Sequence, residues 1–268
     1  MWNCFGFTIR LNVPASQMNP NFYYKFVEPD PAIATFVENI GMFHNPSNTA
    51  KEIVLMPDGR VDLFFMQSES ELFRAILIGL ETIPEQREIP PRTLAFKVSF
   101  KPLAAEYILQ TSIADIFNSG RLLPDGFWDI NAADLTDFDV FHKKITQKIT
   151  ALLPAETDER KRMLFELIYA SDGEMTVAAL SEKVSWGSRQ INRYFNAQFG
   201  LSLNAFCKIL RFRASLQHIA NGRLFPELNF SDQNHFIKEI KKFSGAVPGE
   251  LFKNKDDRFI LLSVLKQQ

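Results

Sequence analysis

The chain has 268 residues, with 30 Lys and Arg against 31 Asp and Glu, and a net charge of −1. That length accommodates one large domain or two ordinary ones, and 46% hydrophobic beside 23% charged residues is typical of a globular protein. Two cysteines, Cys4 and Cys207, exclude a disulfide framework. No apolar run approaches the roughly 18 residues of a membrane span, and no basic segment precedes the first apolar stretch, as a signal peptide would require. We therefore expect a cytoplasmic protein with no membrane association.

The charge is divided unevenly along the chain. Residues 171–268 contain 14 Lys and Arg and 9 Asp and Glu, a net charge of +5, which leaves −6 for residues 1–170. An acidic first part joined to a basic last part is typical of a sensor domain attached to a domain that binds a polyanion. Chance also produces differences of this size, so the division favours nucleic acid only modestly.

The first half has the pattern of β structure. Apolar runs alternate with Pro, Gly, Asp and Asn clusters, which predicts strands at residues 5–11, 22–27, 52–56, 61–66, 72–80 and 94–100. Helices are predicted at residues 31–40 and 101–109. The run Met56-Pro57-Asp58-Gly59-Arg60 is compatible with a small site, but its Pro and Gly satisfy turn chemistry fully, which favours a turn. Five phenylalanines are expected in the core of a barrel: Phe64, Phe65, Phe73, Phe96 and Phe100.

The period changes near residue 134. Apolar side chains then recur every three or four residues, which predicts a helix over residues 134–152 that ends before Pro154, and a second over 158–170. We therefore predict an N-terminal extension at 1–21, a sensor or dimerisation domain at 22–153, and a helical domain at 154–268. Met18 is a candidate initiator. The apolar face of 134–152 either forms a dimer interface or packs on its own barrel.

Residues 176–200 have the layout of a helix-turn-helix. Val177, Leu180 and Val184 share one face of a short helix, a turn follows at 185–187, and the second helix buries Ile191 and Phe195. The second helix also presents Arg189, Asn192 and Arg193 at spacings of three and four residues, so these side chains project together. Arg pairs with guanine and Asn with adenine in the major groove. The alternative is an amphipathic hairpin with an ordinary solvated face.

A similar unit follows at residues 229–243. Ser231 is predicted to cap its helix, with Phe236, Ile240 and Phe243 on the inner face. The outer face carries Asn234, Lys238 and Lys241, with Gln233 beside them. Gly245 is predicted to end this helix, Pro248 to begin a last short one, and residues 201–221 to form a long helix between the two units.

These residues resemble the DNA-binding domain of the AraC/XylS family of bacterial transcription regulators. The resemblance spans residues 176–252 and is carried by Arg189, Ile191, Arg193, Phe195, Phe199-Gly200-Leu201-Ser202, Arg211, Phe230-Ser231-Asp232-Gln233, His235, Phe236, Phe243, Gly245 and Pro248. It implies two helix-turn-helix units on a linker helix. The segments 22–26, 56–59, 61–65 and 98–105 also resemble an uncharacterised domain that often precedes such units. Together they imply an α+β fold, with an N-terminal cupin-like β-barrel or sandwich with helices and a C-terminal all-α double helix-turn-helix.

The sequence departs from the family pattern in three places. Ser181 stands where alanine is usual. Ser185 stands where a turn glycine is usual, and Gly187 takes the cap position. Only residues 220–229 separate the long helix from Phe230, and Pro226 interrupts them, so the supporting helix of the second unit hardly fits. Leu224, Phe225 and Leu228 are expected to replace its packing.

We therefore predict a sequence-specific DNA-binding transcription regulator that is not an enzyme. Its expected partner is double-stranded DNA, and a small-molecule effector, RNA polymerase and a second copy of the chain are candidate partners. The expected DNA contacts are Ser188, Arg189, Gln190, Asn192, Arg193, Ser231, Gln233, Asn234, Lys238, Lys241 and Lys242, among which Ser231, Lys241 and Lys242 contact phosphate. No cofactor or metal is expected, because His44, His142, His218 and His235 are scattered. The alternative function is a small-molecule-binding or enzymatic barrel whose helical half does not bind DNA.

Overall fold

The computed structural model describes residues 2–4, 7–9, 22–225, 228 and 230–266. Strands occupy the first half of this chain: β1 (Trp2–Cys4), β2 (Phe7–Ile9), β3 (Tyr23–Val27), β4 (Val37–Asn45), β5 (Lys51–Leu55), β6 (Val61–Gln67), β7 (Arg74–Ile78), β8 (Glu85–Ile89), β9 (Thr93–Phe100) and β10 (Gly120–Leu122). The helices are α1 (Leu103–Tyr107), α2 (Phe138–Ala151), α3 (Glu159–Ala170), α4 (Val177–Lys183), α5 (Ser188–Phe199), α6 (Leu203–Ala220), α7 (Gln233–Ser244), α8 (Pro248–Lys253) and α9 (Ile260–Leu265).

The strands form an antiparallel sandwich. Six of them make one sheet in the order β10-β7-β6-β9-β4-β3, while β5 pairs with β8 in a separate ribbon and β1 pairs with β2. In the six-stranded sheet every neighbouring pair is antiparallel. The predicted α+β fold, with an N-terminal sandwich followed by helices, is confirmed.

One face of the large sheet is filled by aromatic side chains and covered by α2. Phe65 and Phe96 are fully buried, and their rings lie 5.7 Å and 5.0 Å from the ring of Phe141 on α2. The apolar face of α2 therefore packs on the sheet of its own chain, which is the second of the two alternatives that the sequence allows. Phe100 is buried as predicted, while Phe64 and Phe73 are only half-buried.

The C-terminal end of the chain returns to the opposite face of the sheet. Ile260 of α9 joins a small core cluster with Phe22, Phe43 and Ile53. The backbone N–H of Val54 also donates to the carbonyl of Arg258 at 2.7 Å. The larger core cluster runs without a break from the sheet into α3–α9, so one apolar core spans the predicted boundary at residue 154.

The prediction of a helix over residues 31–40 is wrong. Ile33, Phe36, Val37 and Ile40 have helical spacing, yet only one helix-like turn forms, closed by the bond from Val37 N to Ile33 O at 2.9 Å. The chain then continues as β4, the strand between β3 and β9. Long-range pairing therefore outweighs the local periodicity. Strand β8 was not predicted, because its sequence Glu-Gln-Arg-Glu-Ile is polar and it belongs to an exposed ribbon.

Helix α6 lies at the centre of the molecule. Half of its 18 residues are buried, and it packs against α5, α7, α8 and α9. Two glycines allow other segments to approach it: a Cβ on Gly59 would lie 3.0 Å from Leu210, and a Cβ on Gly173 would lie 2.3 Å from the carbonyl oxygen of Cys207. Within the described ranges, no helix is both long enough and apolar enough to cross a membrane.

The close approach of Gly173 predicts a large stability loss for Gly173→Ala. The residue has φ of +72°, where a side chain costs about 1–2 kcal/mol, and the contact with backbone adds roughly 1–3 kcal/mol. We expect the free energy of unfolding to fall by about 3 kcal/mol, measured by urea denaturation.

Gly249→Ala is the matched control, because nothing lies within 4 Å of a Cβ at that position in α8. We expect it to leave stability unchanged or to raise it by up to about 1 kcal/mol. Equal urea midpoints for the two variants would contradict the packing described for α6.

Candidate nucleic-acid interface

The first helical pair has the turn and the cap position at Gly187 that its sequence predicts, and Thr176 supplies a further cap. Thr176 Oγ1 accepts from Ala179 N at 3.2 Å at the start of α4, and Gln190 Oε1 accepts from Gly187 N at 3.2 Å at the start of α5. In the turn between them, Ser185 has φ of +49°. This is the left-handed conformation that favours glycine, so Ser185 takes the turn-glycine position despite its side chain.

The exposed face of α5 carries a short cationic row. Arg189 and Arg193 are exposed one helical turn apart, and Gln190 is exposed beside them. Ile191 and Phe195 are fully buried on the opposite face. Ser188 lies half-buried at the first position of the helix. The two arginine side chains are therefore exposed on one face of a helix whose opposite face is packed in the core.

Asn192 does not belong to this row. Its Nδ2 donates to Ser188 O at 3.0 Å, and its Oδ1 accepts from Leu203 N at 3.2 Å, at the first residue of α6. Both ends of the amide are therefore used within the protein. These bonds join α5 to α6, and the predicted base contact by Asn192 would require them to break.

The C-terminal part of α5 is bonded to the first half of the chain. Tyr194 Oη donates to Glu106 Oε2 at 3.0 Å, and Lys161 Nζ lies 2.5 Å from Glu106 Oε1. Gln198 Nε2 donates to Thr111 O at 2.7 Å, and Ile113 N donates to Gln198 O at 2.9 Å. Burial, followed by the charge of Glu106, raises the pKa of Tyr194, so its hydroxyl keeps its proton.

Sequence reasoning missed this attachment. The only local signal was the aromatic Tyr194 between the exposed and buried faces of the helix, and its partner Glu106 lies 88 residues away.

The second helix of interest, α7, begins one residue later than predicted. Asp232, rather than Ser231, is its N-cap: Asp232 Oδ1 accepts from His235 N at 2.9 Å. This hydrogen bond is the main reason that the pKa of Asp232 lies below its usual value. Ser231 is exposed ahead of the helix, and its N–H donates to Nδ1 of His235. His235 also packs beside Phe230, with ring centroids 5.6 Å apart.

The outer face of α7 is basic. Asn234, Lys238, Lys241 and Lys242 are exposed, while Phe236, Ile240 and Phe243 are buried. Gln233 is the exception, because its Nε2 turns back to donate to Leu224 O at 3.2 Å. Gly245 ends α7 with φ of +73°, and Pro248 begins α8, as predicted, although α9 follows.

No helix supports α7 in the described part of residues 221–232. Leu224 packs on the main core and Phe230 packs on Phe236 with centroids 5.1 Å apart. Phe225 is 71% exposed, so its predicted packing role is wrong, and Leu228 is half-buried. Pro226 lies outside the described residues. Within the described residues the two helical units are therefore unequal, since the short helix α4 leads into α5 whereas an irregular segment leads into α7.

The described part of the chain contains His, Cys, Asp and Glu side chains, the types that could bind a metal ion. No group of three or more His, Cys, Asp or Glu side chains there is arranged to hold a metal ion. His44 is buried with Nδ1 2.6 Å from Tyr23 Oη, and burial, aided by Arg92, lowers its pKa to about 4.

Comparison with known proteins gives one family match and several distant structural ones. Residues 25–121 match the Domain of unknown function (DUF6597). No curated protein sequence matches the chain. Solved structures of ToxT from Vibrio cholerae are similar to this chain. An apo lysine-to-alanine variant has 11% sequence identity and a TM-score of 0.44, and the protein from strain O395 has 8% identity and a TM-score of 0.42. Both comparisons cover 87% of this chain and 98% of the ToxT chain. ToxT with a bound unsaturated fatty acid has 10% identity and a TM-score of 0.38 over 87% of this chain and 94% of the other.

The position of Asn192 predicts that its loss affects folding. Asn192→Ala removes two hydrogen bonds and leaves Leu203 N without its side-chain acceptor. We expect the free energy of unfolding to fall by about 1–2 kcal/mol, measured by urea denaturation. Asn196→Ala is the control on the same helix, because Asn196 is exposed and should change stability by less than about 0.5 kcal/mol. Equal decreases in the free energy of unfolding for the two variants would contradict the structural role of Asn192.

Proposed function

We propose that this protein is a sequence-specific DNA-binding transcription regulator of AraC type. Helix α5 enters the major groove, and helix α7 contacts the DNA backbone. The N-terminal half controls the helical half through a ligand or a partner.

The observation that carries this proposal is the exposed pair Arg189 and Arg193 on α5. Each arginine can donate two hydrogen bonds to guanine O6 and N7, whereas Gln190 beside them has only its Nε2 left for a base, because its Oε1 accepts from Gly187 N. The helix that presents them is held by a buried face, by Asn192 and by Tyr194. Such fixing lowers the entropic cost of docking the helix in a groove.

The basic face of α7 supports a different contribution. Lys238, Lys241 and Lys242 are exposed within two turns, and a lysine ammonium suits phosphate as a point charge. Contacts to phosphate set the register of the protein on the duplex without reading sequence. Asn234 and Ser231, exposed near the start of α7, complete this surface, while Gln233 is left out because its amide is bonded to Leu224.

Control by the N-terminal half is supported by the bonds from α5 to residues 106–113. A ligand or a protein partner that moves this segment would move Tyr194 and Gln198, and with them the arginine row. The N-terminal half could receive this signal from a small molecule, from RNA polymerase or from a second copy of the chain.

One observation favours a second candidate function. The described residues before α7 contain no supporting helix, which agrees with a small-molecule-binding sandwich whose helices do not bind DNA. The two functions differ in salt dependence. Counterion release makes DNA binding weaken steeply with salt, whereas a chain without DNA binding shows no saturable affinity for any duplex.

Arg193→Ala is predicted to weaken binding to the preferred duplex by about 1–3 kcal/mol and to relax sequence preference at one base pair. Selection from a random duplex library identifies the site, and fluorescence anisotropy measures the affinity. Arg162→Ala is the matched control: Arg162 is a surface residue of α3 paired with Glu159 and Glu166, and its loss should leave affinity unchanged. Equal weakening of Arg193→Ala on every sequence would mean that Arg193 contacts phosphate only.

Lys241→Gln is predicted to behave differently from Arg193→Ala. We expect weaker binding to all duplexes alike, and a slope of log affinity against log salt that is reduced by about 1, because one phosphate contact is lost. Anisotropy titrations over a salt series measure both effects. An unchanged slope would place α7 outside the DNA interface.

A further inference from the structure

A charged cleft lies where the sandwich meets α3 and α6. Its volume is about 390 Å³, within the range of pockets that bind small molecules. The polar side chains that line it include Glu38, Arg60, Lys101, Tyr169, Arg213 and Gln217. They come from β4, from the turn before β6, from the end of β9, from α3 and from α6, so both halves of the chain build the cleft.

The carboxylate of Glu38 already pairs with two of the cationic groups of the cleft. Glu38 Oε1 lies 3.0 Å from Arg60 Nη2, and it also pairs with Nη2 of Arg213 on α6. Burial raises the pKa of Glu38, but the charges of Arg60 and Arg213 outweigh burial and bring the value to about 2. Glu38 therefore stays ionised, and it shows which chemistry the two guanidinium groups accept.

The cleft has hydrogen-bond capacity that Glu38 does not use. The Arg60 side chain is only 2% exposed, yet its Nε has no hydrogen-bond partner among the described residues, and the same is true of Tyr169 Oη. The Arg60 guanidinium lies 5.0 Å from the centre of the Tyr169 ring. Buried donors of this kind are normally satisfied. Both atoms are closed off from solvent, so a ligand in the cleft contacts them only if the Arg60 and Tyr169 side chains shift.

The charge of the cleft favours an anion. Arg60, Lys101 and Arg213 face Glu38 and Asp172 across the lining. Asp58, whose Oδ1 accepts from Arg60 N at 2.9 Å, has its pKa raised by burial and by the charge of Asp62. Among the residues that line the cleft itself, three cationic side chains stand against two carboxylates.

The polar lining also restricts the rest of the ligand. The apolar side chains of the cleft are Leu210, Ala214 and Leu265, and the other lining residues are charged or polar. A long acyl chain would leave these polar groups desolvated without partners, which is costly. A compact molecule with hydroxyl groups would satisfy them.

We propose that this cleft binds a small hydroxylated anion whose phosphate or carboxylate group takes the place of Glu38 between Arg60 and Arg213. Binding would then break the bridge from Glu38 to Arg213, which joins the sandwich to α6. Because α6 packs against both α5 and α7, the ligand would act on the helices that carry the DNA contacts. This regulatory consequence rests on the proposed DNA-binding function, whereas binding in the cleft does not.

Isothermal titration calorimetry on the full chain without DNA tests the site, with inorganic phosphate and glucose 6-phosphate as probes at constant ionic strength. We expect saturable binding of both, with the sugar phosphate tighter because its hydroxyl groups meet the polar lining. Glu38→Gln, which removes the competing charge, should tighten binding about tenfold, and Arg213→Gln should weaken it about tenfold or more. Arg162→Gln on the outer face of α3 is the control and should bind as the wild type does.

Several outcomes would overturn the proposal. These are no saturable heat for either probe, equal affinity in the wild type and Arg213→Gln, or binding of decanoate in preference to glucose 6-phosphate. Thermal unfolding of Glu38→Gln and Arg213→Gln verifies that both variants are folded. Arg60 is left unchanged because it is buried.

The regulatory consequence has a separate test. Anisotropy with the selected duplex, with and without saturating glucose 6-phosphate, should show an affinity change of about fivefold or more. If the protein binds both glucose 6-phosphate and the duplex but its affinity for the duplex does not change, the regulatory consequence is wrong and the proposed binding site stands. If the chain binds no duplex, the proposed function is wrong, and the calorimetry still tests whether the cleft binds an anion.

Discussion

The burial of α6 is the constraint on which the rest of the structure depends. Apolar side chains such as Leu203, Phe206 and Leu216 are buried on this helix, and glycines allow the neighbouring segments to reach it. Gly173 lies against the backbone of Cys207, and Gly59 lies against Leu210. A helix enclosed in this way cannot shift alone, because a close-packed interior has no free volume to receive it. Whatever moves α6 must also move the elements packed on it.

This constraint explains which face of α5 is available to a partner. One side of α5 is occupied by the core through Ile191 and Phe195. Asn192 is bonded to the first residue of α6, and Tyr194 is bonded to Glu106 of the first half. The remaining side carries Arg189 and Arg193. Folding therefore uses Asn192 and Tyr194, and this narrows the candidate contact surface of the helix. On helix α7, Gln233 turns inward to donate to the backbone carbonyl of Leu224.

The sequence predicted elements better than it predicted the roles of polar side chains. Apolar spacing located α2 to α7 within a few residues, because each helix buries a continuous stripe. The same spacing over Ile33 and Ile40 misled, since β4 takes its identity from strands that are distant in sequence. Asn192 and Gln233 were assigned to the DNA surface because periodicity gives the face of a helix but not the partner of an amide. The partner of Asn192 is a backbone group 11 residues away, which no local pattern reveals.

The charged cleft shows the limit of sequence reasoning most clearly. Glu38 and Arg213 are 175 residues apart, and Arg60 belongs to a run that turn chemistry explains completely. A partly buried ion cluster also gains little stability over an apolar contact of the same volume, because its desolvation cost offsets much of the attraction. Its presence between two halves that already share a continuous apolar core therefore needs a reason other than stability. An apolar contact at this place would be permanent, whereas a bridge between a carboxylate and two guanidinium groups is open to competition from another anion. In the proposed regulator, that difference would make the contact between the sandwich and α6 responsive to ligand concentration.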